Sequence, residues 1–227
     1  MLGKSISSSS AILMALAVCA AGLIAFMQFN VQDKIALEQR KVEESPLRAI
    51  VPRSKYNNQM LDDTLPVSDH ELLGLTQPEQ IYIARQDGEA VAVILPVMAN
   101  DSYSGEPIKM QVGIFKDGSI AGVRVLTHTE TPGLGDKIDA NKSDWLLSFK
   151  EKSLVNPPSE QWAVKKDSGV FDQFTGATIT PRAVVKGVYQ ALQYFKKNKT
   201  VLLAPKGQAE QAIALQAALQ ARESATD

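Results

Sequence analysis

A long apolar run near the start of the chain constrains the fold more than any other feature. Residues 11–29 carry no charged side chain, and Gln28 is the one strongly polar residue among them. The nearest charged residues, Lys4 and Asp33, stand outside the run. A helix of roughly 20 apolar residues is long enough to cross the hydrocarbon core of a bilayer. The sequence therefore predicts one membrane-spanning helix over residues 11–29.

A cleaved signal peptide is the alternative interpretation of this run. The run is longer than the usual apolar core of a signal peptide, and residues 1–10 are only weakly basic. These features favour an uncleaved anchor. Basic residues bias the orientation only weakly, because residues 33–44 carry charges of both signs. We expect residues 1–10 to stay in the cytoplasm and the domain after the span to be exported.

The rest of the chain predicts an α+β domain with an antiparallel sheet and packed helices. Apolar and β-branched runs alternate with Asp-Gly turns at residues 87–88 and 117–118, which is typical of hairpins. The predicted strands are residues 81–84, 90–97, 109–115 and 119–127, with a shorter third pair at residues 162–164 and 170–171. The predicted organisation is residues 1–10 as N-terminus, 11–29 as span, 30–79 as partly helical connector, 80–199 as domain and 200–227 as C-terminal helix and tail.

Three helical stretches follow from apolar spacing and from start and stop signals. Residues 31–44 predict a charged helix that Pro46 ends, and residues 144–154 predict a second helix. Thr180 is the expected N-cap of a third helix, with Pro181 as its first helical residue. The net charge of −1 argues against a nucleic-acid partner. We find no cluster of metal ligands in the sequence and expect no metal site.

The run Asp172-Gln173-Phe174-Thr175-Gly176-Ala177-Thr178 carries the strongest functional signal. A pattern Asp-x-x-(Ser/Thr)-Gly-Ala-(Ser/Thr) arises by chance in roughly one chain of this size in a thousand. Small residues before Thr178 make the threonine accessible to another enzyme, and the Asp172 carboxylate offers a polar group for recognition by that enzyme. A threonine hydroxyl must be activated by a base or a metal before it can act as a nucleophile. The helix start that follows Thr178 suits a phosphate, since helix N-termini stabilise anions.

A second loop, residues 127–135, follows a strong strand and is rich in Thr, Pro and Gly. Such loops often carry sites. Its candidate contacts to a flat ring are Thr131, Pro132, Gly133 and Leu134, and an ordinary turn is the alternative. Glu130 is expected to be only part of the loop. For His128, a strand-end histidine with a solvent partner is favoured over a contact to the edge of such a ring.

The two loops together resemble the covalent FMN-binding domain of the G subunit of the bacterial Rnf electron-transport complex. The C subunit of the Na+-pumping NADH:quinone reductase has a similar pair, and the short connector favours the Rnf protein. The resemblance implies that an FAD-dependent flavin transferase attaches FMN through its phosphate to Thr178. It assigns recognition to Asp172, Thr175, Gly176, Ala177 and Thr178, and it places Thr175, Gly176 and Ala177 beside the cofactor as well.

The resemblance also implies a function and a location, on a bacterial inner membrane with the domain in the periplasm. The protein would be an electron carrier in an ion-translocating oxidoreductase that couples electron flow between ferredoxin and NAD+ to ion transport. Its partners would be the other membrane, iron–sulfur and flavin subunits, and it would have no independent catalysis and no catalytic residue of its own. The alternatives are the corresponding quinone reductase protein, with the same cofactor, and an anchored binding module without redox function.

Overall fold

The structure is a computed structural model that describes the backbone of residues 2–209 and side chains at residues 13–23, 26–28, 38 and 40–209. It divides into two compact units, residues 1–45 and 46–227. Most of the C-terminal helix expected over residues 207–223 lies outside the described residues. So do the side chains of residues 1–10 and parts of the apolar run, at residues 11–12, 24–25 and 29.

The first unit is formed by helix α1, Leu2–Ile50, whose end belongs to the second unit. Within the described residues, no helix meets the length and apolarity needed to cross a membrane. The expectation that Pro46 ends the helix is wrong, because Pro46 lies inside it. A proline normally costs a helix about 3 kcal/mol, and packing of the last turn offsets that cost. Leu47 and Ile50 of this turn are buried in the second unit.

The second unit is built on a five-stranded antiparallel sheet in sequence order. The strands are β1, Thr64–Val67; β2, Glu79–Gln86; β3, Glu89–Ala99; β4, Ile108–Phe115; and β5, Ile120–Thr127. The two predicted hairpins are confirmed as β2–β3 and β4–β5. Strand β1 was not expected from the sequence. It pairs with β2 from Thr64 to Val67 and contains a proline, as an edge strand tolerates.

Helix α2, Ile179–Leu202, covers one face of the sheet over β3 and β4. Alternate residues of β4 point to this helix, so Met110, Val112 and Ile114 are fully buried in the larger core. Six short 3-10 turns connect the elements among the described residues: Arg53–Lys55, Met60–Asp62, Gly135–Ile138, Trp145–Phe149, Ser159–Gln161 and Lys165–Asp167. The α+β architecture expected from the sequence is therefore confirmed.

The opposite face of the sheet receives the end of α1. Gly113 of β4 and Gly122 of β5 lie opposite each other in the ladder. A Cβ atom built on Gly113 would overlap Ile50 Cγ2, and one on Gly122 would lie 3.3 Å from Ile50 Cα. The two glycines therefore leave the space that Ile50 fills. A smaller core on this face contains Leu47, Ile50, Val51, Tyr56, Met60, Ala84, Ala92, Ile94 and Ala121.

Two expectations between residues 140 and 175 need correction. The helix expected over residues 144–154 is only a 3-10 turn, Trp145–Phe149. The chain leaves it because Lys152 and Glu151 exchange backbone hydrogen bonds with Ile120 at the start of β5. The third strand pair is reduced to one isolated bridge between Val164 and Phe171. In the first place, pairing with the distant Ile120 overrides the local helical spacing.

Candidate cofactor site

The run Asp172–Thr178, called the attachment run below, ends at the start of α2. Thr175 and Gly176 are exposed, and Thr178 is half-buried. The Ala177 N–H donates to the Phe174 carbonyl at 3.1 Å, and Gly176 has φ +82°, so the run folds into a tight turn. The buried Phe174 fixes this turn to the core. The exposed part of the turn precedes Thr178 and leaves room for another protein to approach it.

Thr178, rather than Thr180, is the N-cap of α2. The expectation that Thr180 caps the helix and Pro181 begins it is therefore wrong by two residues. The Thr178 carbonyl accepts the N–H of Arg182 at 3.4 Å, which starts the helix earlier. Thr180 is fully buried, and its hydroxyl donates to the Glu130 carboxylate. A tertiary hydrogen bond thus uses the hydroxyl that the local pattern would assign to capping.

The N-terminus of α2 has features that favour an anion. The Thr178 side chain makes no capping hydrogen bond. The first N–H groups of any α-helix lack partners within the helix, and here they belong to Ile179 and Thr180, while Pro181 has none. The positive end of the helix dipole lies at the same place. A phosphate attached to Thr178 would therefore meet free donors and a favourable potential.

The second loop lies beside the attachment run. Residues Thr131–Gly135, called the ring loop below, form a turn in which the Leu134 and Gly135 N–H groups both donate to the Thr131 carbonyl at 3.1 Å. Gly133 has φ +78°, and a Cβ atom built on it meets no described atom within 4 Å. Leu134 Cδ2 lies 3.3 Å from a Cβ built on Gly176. The structure thus brings together the two loops that the sequence singled out.

Glu130, which precedes the ring loop, is buried, so the expectation that it is only part of the loop needs correction. Only 5% of the residue is exposed. One carboxylate oxygen accepts the Thr180 hydroxyl, and the other accepts the Ser104 hydroxyl at 3.3 Å. The Glu130 N–H donates to Nδ1 of the half-exposed His128 at 3.2 Å. A buried carboxylate therefore links the strand end, the ring loop and α2.

Asp136 braces the ring loop from its other end. Its carboxylate accepts Lys142 Nζ at 2.7 Å. This hydrogen bond, followed by one from the Gly133 backbone, holds the pKa of Asp136 below its ordinary value. Because Gly135 packs against Glu130, with a built Cβ only 2.7 Å from the carboxylate, the ring loop is held between two carboxylates.

The Lys142 contact gives a pH-dependent prediction. A depressed pKa in the folded state contributes stability above the ordinary Asp pKa of 3.8, and that stability is lost as the pH falls below it. We expect Lys142→Gln to lower the urea midpoint at neutral pH and to weaken its dependence on pH below 3.8. The exposed Lys150→Gln is the matched control. Equal acid profiles for wild type and Lys142→Gln would contradict this role of Lys142.

The 3-10 turn Lys165–Asp167, called the bracing turn below, lies along the attachment run. Lys165 Nζ contacts Asp172 Oδ1 at 2.5 Å. Asp167 accepts two hydrogen bonds from the Arg182 guanidinium, at 2.5 and 2.6 Å, and this pairing lowers the pKa of Asp167. The bracing turn thus holds both the start of the run and the first turn of α2. Exposed ion pairs such as these contribute little to the stability of a fold, so their main effect is orientation.

Trp145 supports the attachment run from the inside. Its indole N–H donates to the Asp172 carbonyl at 2.8 Å. Its ring packs edge to face against Phe149 and Phe174, with centroids 5.2 and 5.1 Å away. Sequence reasoning missed Trp145, Asp136, Lys142, Lys165 and the pairing of Glu130. The sequence does show charged residues in loops between apolar segments. It does not show which of these charges are buried.

The described residues fit a flavin attached through its phosphate. The uncapped N-terminus of α2 offers donors to a phosphodiester beside Thr178. The open space above Gly133 and the contact between Leu134 and Gly176 leave backbone and apolar surface for a flat ring nearby. Asp172, Thr175, Gly176 and Ala177 form the approach to Thr178, and Thr131, Pro132, Gly133 and Leu134 form the neighbouring exposed surface.

Comparison with known proteins agrees with these features. Residues 103–193 match the family described as the FMN-binding domain, and residues 1–50 match the RnfG N-terminal region. The G subunit of the ion-translocating oxidoreductase complex of Pseudomonas aeruginosa (strain UCBPP-PA14) is 48% identical over 189 residues, which are 83% of this chain and 88% of that protein. The corresponding protein of Pseudoalteromonas atlantica is 42% identical over 211 residues, 93% of this chain and 98% of that protein.

Among solved structures, the crystal structure of Shewanella oneidensis NqrC is similar at 21% identity and a TM-score of 0.42, over 66% of this chain and 72% of that one. The two G-subunit relatives are 48% and 42% identical to this chain and cover most of it. The match of residues 1–50 is also to an RnfG protein. The chain therefore belongs to the G-subunit family of ion-translocating oxidoreductase complexes, with an FMN-binding domain, which confirms the resemblance predicted from its two loops.

Proposed function

We propose that this protein is the membrane-anchored electron carrier of an ion-translocating oxidoreductase complex, with FMN joined by a phosphoester to Thr178. The complex couples electron transfer of the ferredoxin and NAD+ type to ion transport across the bacterial inner membrane. Relatives over most of the chain are named as G subunits of an ion-translocating oxidoreductase complex, which supports a partnership with other subunits of that complex. We propose that these partners are its membrane, iron–sulfur and flavin subunits. The protein by itself carries electrons and converts no substrate.

The position of Thr178 is the observation that carries this proposal. The residue sits at the uncapped start of α2, at the end of a tight turn, and next to the ring loop. A phosphate there lies at the positive end of a helix of 24 residues. The flavin supplies one- and two-electron chemistry when bound. The chain's own contribution is to fix the phosphate and to present an exposed loop where electron-transfer partners can approach.

Attachment requires a separate enzyme on this proposal. The Thr178 oxygen attacks the phosphorus on the flavin side of FAD, the phosphoanhydride bond breaks and AMP leaves. The hydroxyl proton passes to a base of the FAD-dependent flavin transferase, because a threonine hydroxyl is a poor nucleophile without activation. Exposure of Thr175 and Gly176 supports entry of the attachment run into that enzyme's active site.

Intact mass measurement of the protein made in its own host tests the proposal directly. We expect denatured protein to carry the added mass of one FMN less one water and to fluoresce under ultraviolet light. Noncovalent FMN would be lost on denaturation and would contradict the phosphoester. Absence of flavin before denaturation as well would favour an anchored binding module instead.

Asp172 is proposed to serve recognition by the transferase, and the structure supplies a matched control. Asp172 is exposed and paired with Lys165. We expect Asp172→Ala to lower the flavinylated fraction on co-expression with a transferase. Lys165→Ala removes the same ion pair but keeps the carboxylate, so it should flavinylate like wild type. Equal losses in both variants would show that Asp172 only orders the local turn.

The anchor is proposed to be residues 11–29, with residues 1–10 in the cytoplasm and the folded domain in the periplasm. The described large apolar side chains of this run are exposed to between 62 and 70%, at Leu13, Met14, Leu16, Val18, Leu23, Phe26 and Met27. Apolar side chains exposed around a helix mark a surface that avoids water. The relatives are named as subunits of an ion-translocating complex, which supports membrane association.

A further inference from the structure

Glu130 and Thr180 form a buried polar contact between two segments 50 residues apart in sequence. Glu130 is 5% exposed and Thr180 is fully buried. The remaining carboxylate oxygen accepts the Ser104 hydroxyl at 3.3 Å and faces the Ser104 N–H at 3.5 Å. Thr129 adds a hydroxyl contact of 2.9 Å to the same serine. These donors to the Glu130 carboxylate are hydroxyl and N–H groups, from Thr180 and Ser104.

Such an arrangement is unfavourable for a purely structural contact. A buried carboxylate needs several hydrogen bonds to offset its lost hydration, and an apolar pair of the same size would avoid that cost. The carboxylate lies against the first turn of α2, where the helix dipole lowers its energy. Because Thr178 is two residues before Thr180, the phosphate proposed there shares the same helix N-terminus.

From this geometry we propose that Glu130 is a positioning residue for the flavin. Its carboxylate ties the ring loop to the first turn of α2, so the distance between that loop and Thr178 is held constant. Its negative charge also disfavours the added negative charge of a reduced flavin nearby. This inference rests on the proposed attachment of FMN at Thr178. It assigns Glu130 two separable effects, one on ring mobility and one on reduction potential.

The packing of Gly135 shows that the contact leaves little free space. A Cβ atom built on Gly135 would lie 2.7 Å from the Glu130 carboxylate and 2.9 Å from the Thr180 hydroxyl. The backbone of the ring loop therefore passes directly over the Glu130–Thr180 contact. In the same loop, Leu134 Cδ2 lies 3.3 Å from a Cβ built on Gly176 of the attachment run. A change at Glu130 or Thr180 is thereby passed through the ring loop to Leu134 and the attachment run.

Two substitutions separate the effects. Thr180→Val keeps the size of the side chain and the charge of Glu130 but removes the hydroxyl donor. Glu130→Gln keeps a carbonyl oxygen for Thr180 and removes the charge. Thr180→Ser restores the donor, and Glu106→Gln neutralises an exposed glutamate as a control. Each full-length protein is flavinylated by co-expressed transferase, and the flavin fluorescence anisotropy and reduction midpoint are measured alongside the melting temperature.

We expect all of these variants to be flavinylated, because attachment depends on the neighbouring run. Thr180→Val should lower the flavin anisotropy, and Thr180→Ser should restore it. Glu130→Gln should keep the anisotropy of wild type and shift the midpoint to a more positive potential, while Glu106→Gln should match wild type in both. If Thr180→Val does not fold, the reduction midpoint of the Glu130→Gln variant tests the proposal by itself.

A lower melting temperature with unchanged anisotropy and midpoint in both variants would overturn the proposal, since the contact would then serve the fold alone. A midpoint in Glu130→Gln equal to that of Glu106→Gln would overturn the effect of charge. Failure of the proposed function would look different, because wild type itself would then carry no covalent flavin.

Discussion

Replacing Thr178 by alanine is expected to remove covalent FMN completely while leaving a folded domain. The hydroxyl is the proposed site of the phosphoester, and alanine offers no oxygen. The fold should survive because the Thr178 side chain makes no capping hydrogen bond. Loss of a threonine N-cap usually costs about 1 kcal/mol, and most of that cost belongs to the capping bond that is missing here. Flavin fluorescence in a denaturing gel measures the loss.

Thr178→Ser and Thr175→Ala complete this experiment. Serine keeps the hydroxyl and should accept FMN, since the motif tolerates Ser or Thr at this place. Thr175→Ala removes the neighbouring exposed hydroxyl and keeps Thr178. The flavin fluorescence that this variant retains is expected to come from FMN attached to Thr178. Fluorescence that persists in Thr178→Ala, with an unchanged melting temperature, would assign attachment to another residue.

Alkaline phosphatase fused to the C-terminus is expected to be active, and a fluorescent protein fused there should stay dark. The physical reason is that residues 11–29 are long and apolar enough to cross a bilayer, which on the proposed orientation places the domain after them in the periplasm. The fusion should remain with the membrane fraction after a salt wash. Deletion of residues 11–29 should abolish phosphatase activity and release the protein into the soluble fraction.

The alternatives give distinct results in the same experiment. Active phosphatase in the soluble periplasmic fraction, with a chain shortened at its N-terminus, would show a cleaved signal peptide. Inactive phosphatase with a bright fluorescent fusion would reverse the orientation and would place the flavin domain in the cytoplasm. In either case the assignment of Thr178 would stand, because it depends on a different part of the chain.

Local features of the sequence determined much of this protein. The hairpins β2–β3 and β4–β5 follow from alternating apolar residues around Asp-Gly turns, although both ladders contain register shifts that the turns do not predict. The attachment run and the ring loop were identified by their residues, and family membership followed from the same two segments. The hairpins and the family are confirmed because each depends on residues that are neighbours in the chain, and the site residues stay a prediction.

Tertiary structure decided whatever depends on distant partners. Strand β1 exists because β2 offers an edge to pair with, and α1 passes Pro46 because Leu47 and Ile50 bury themselves against the sheet. The same holds in the site. The sequence shows Glu130 and Thr180 as a loop carboxylate and a helix cap, whereas the fold buries both in one hydrogen bond. Burial sets the energy of a charge, and burial is a property of the folded chain that no local pattern contains.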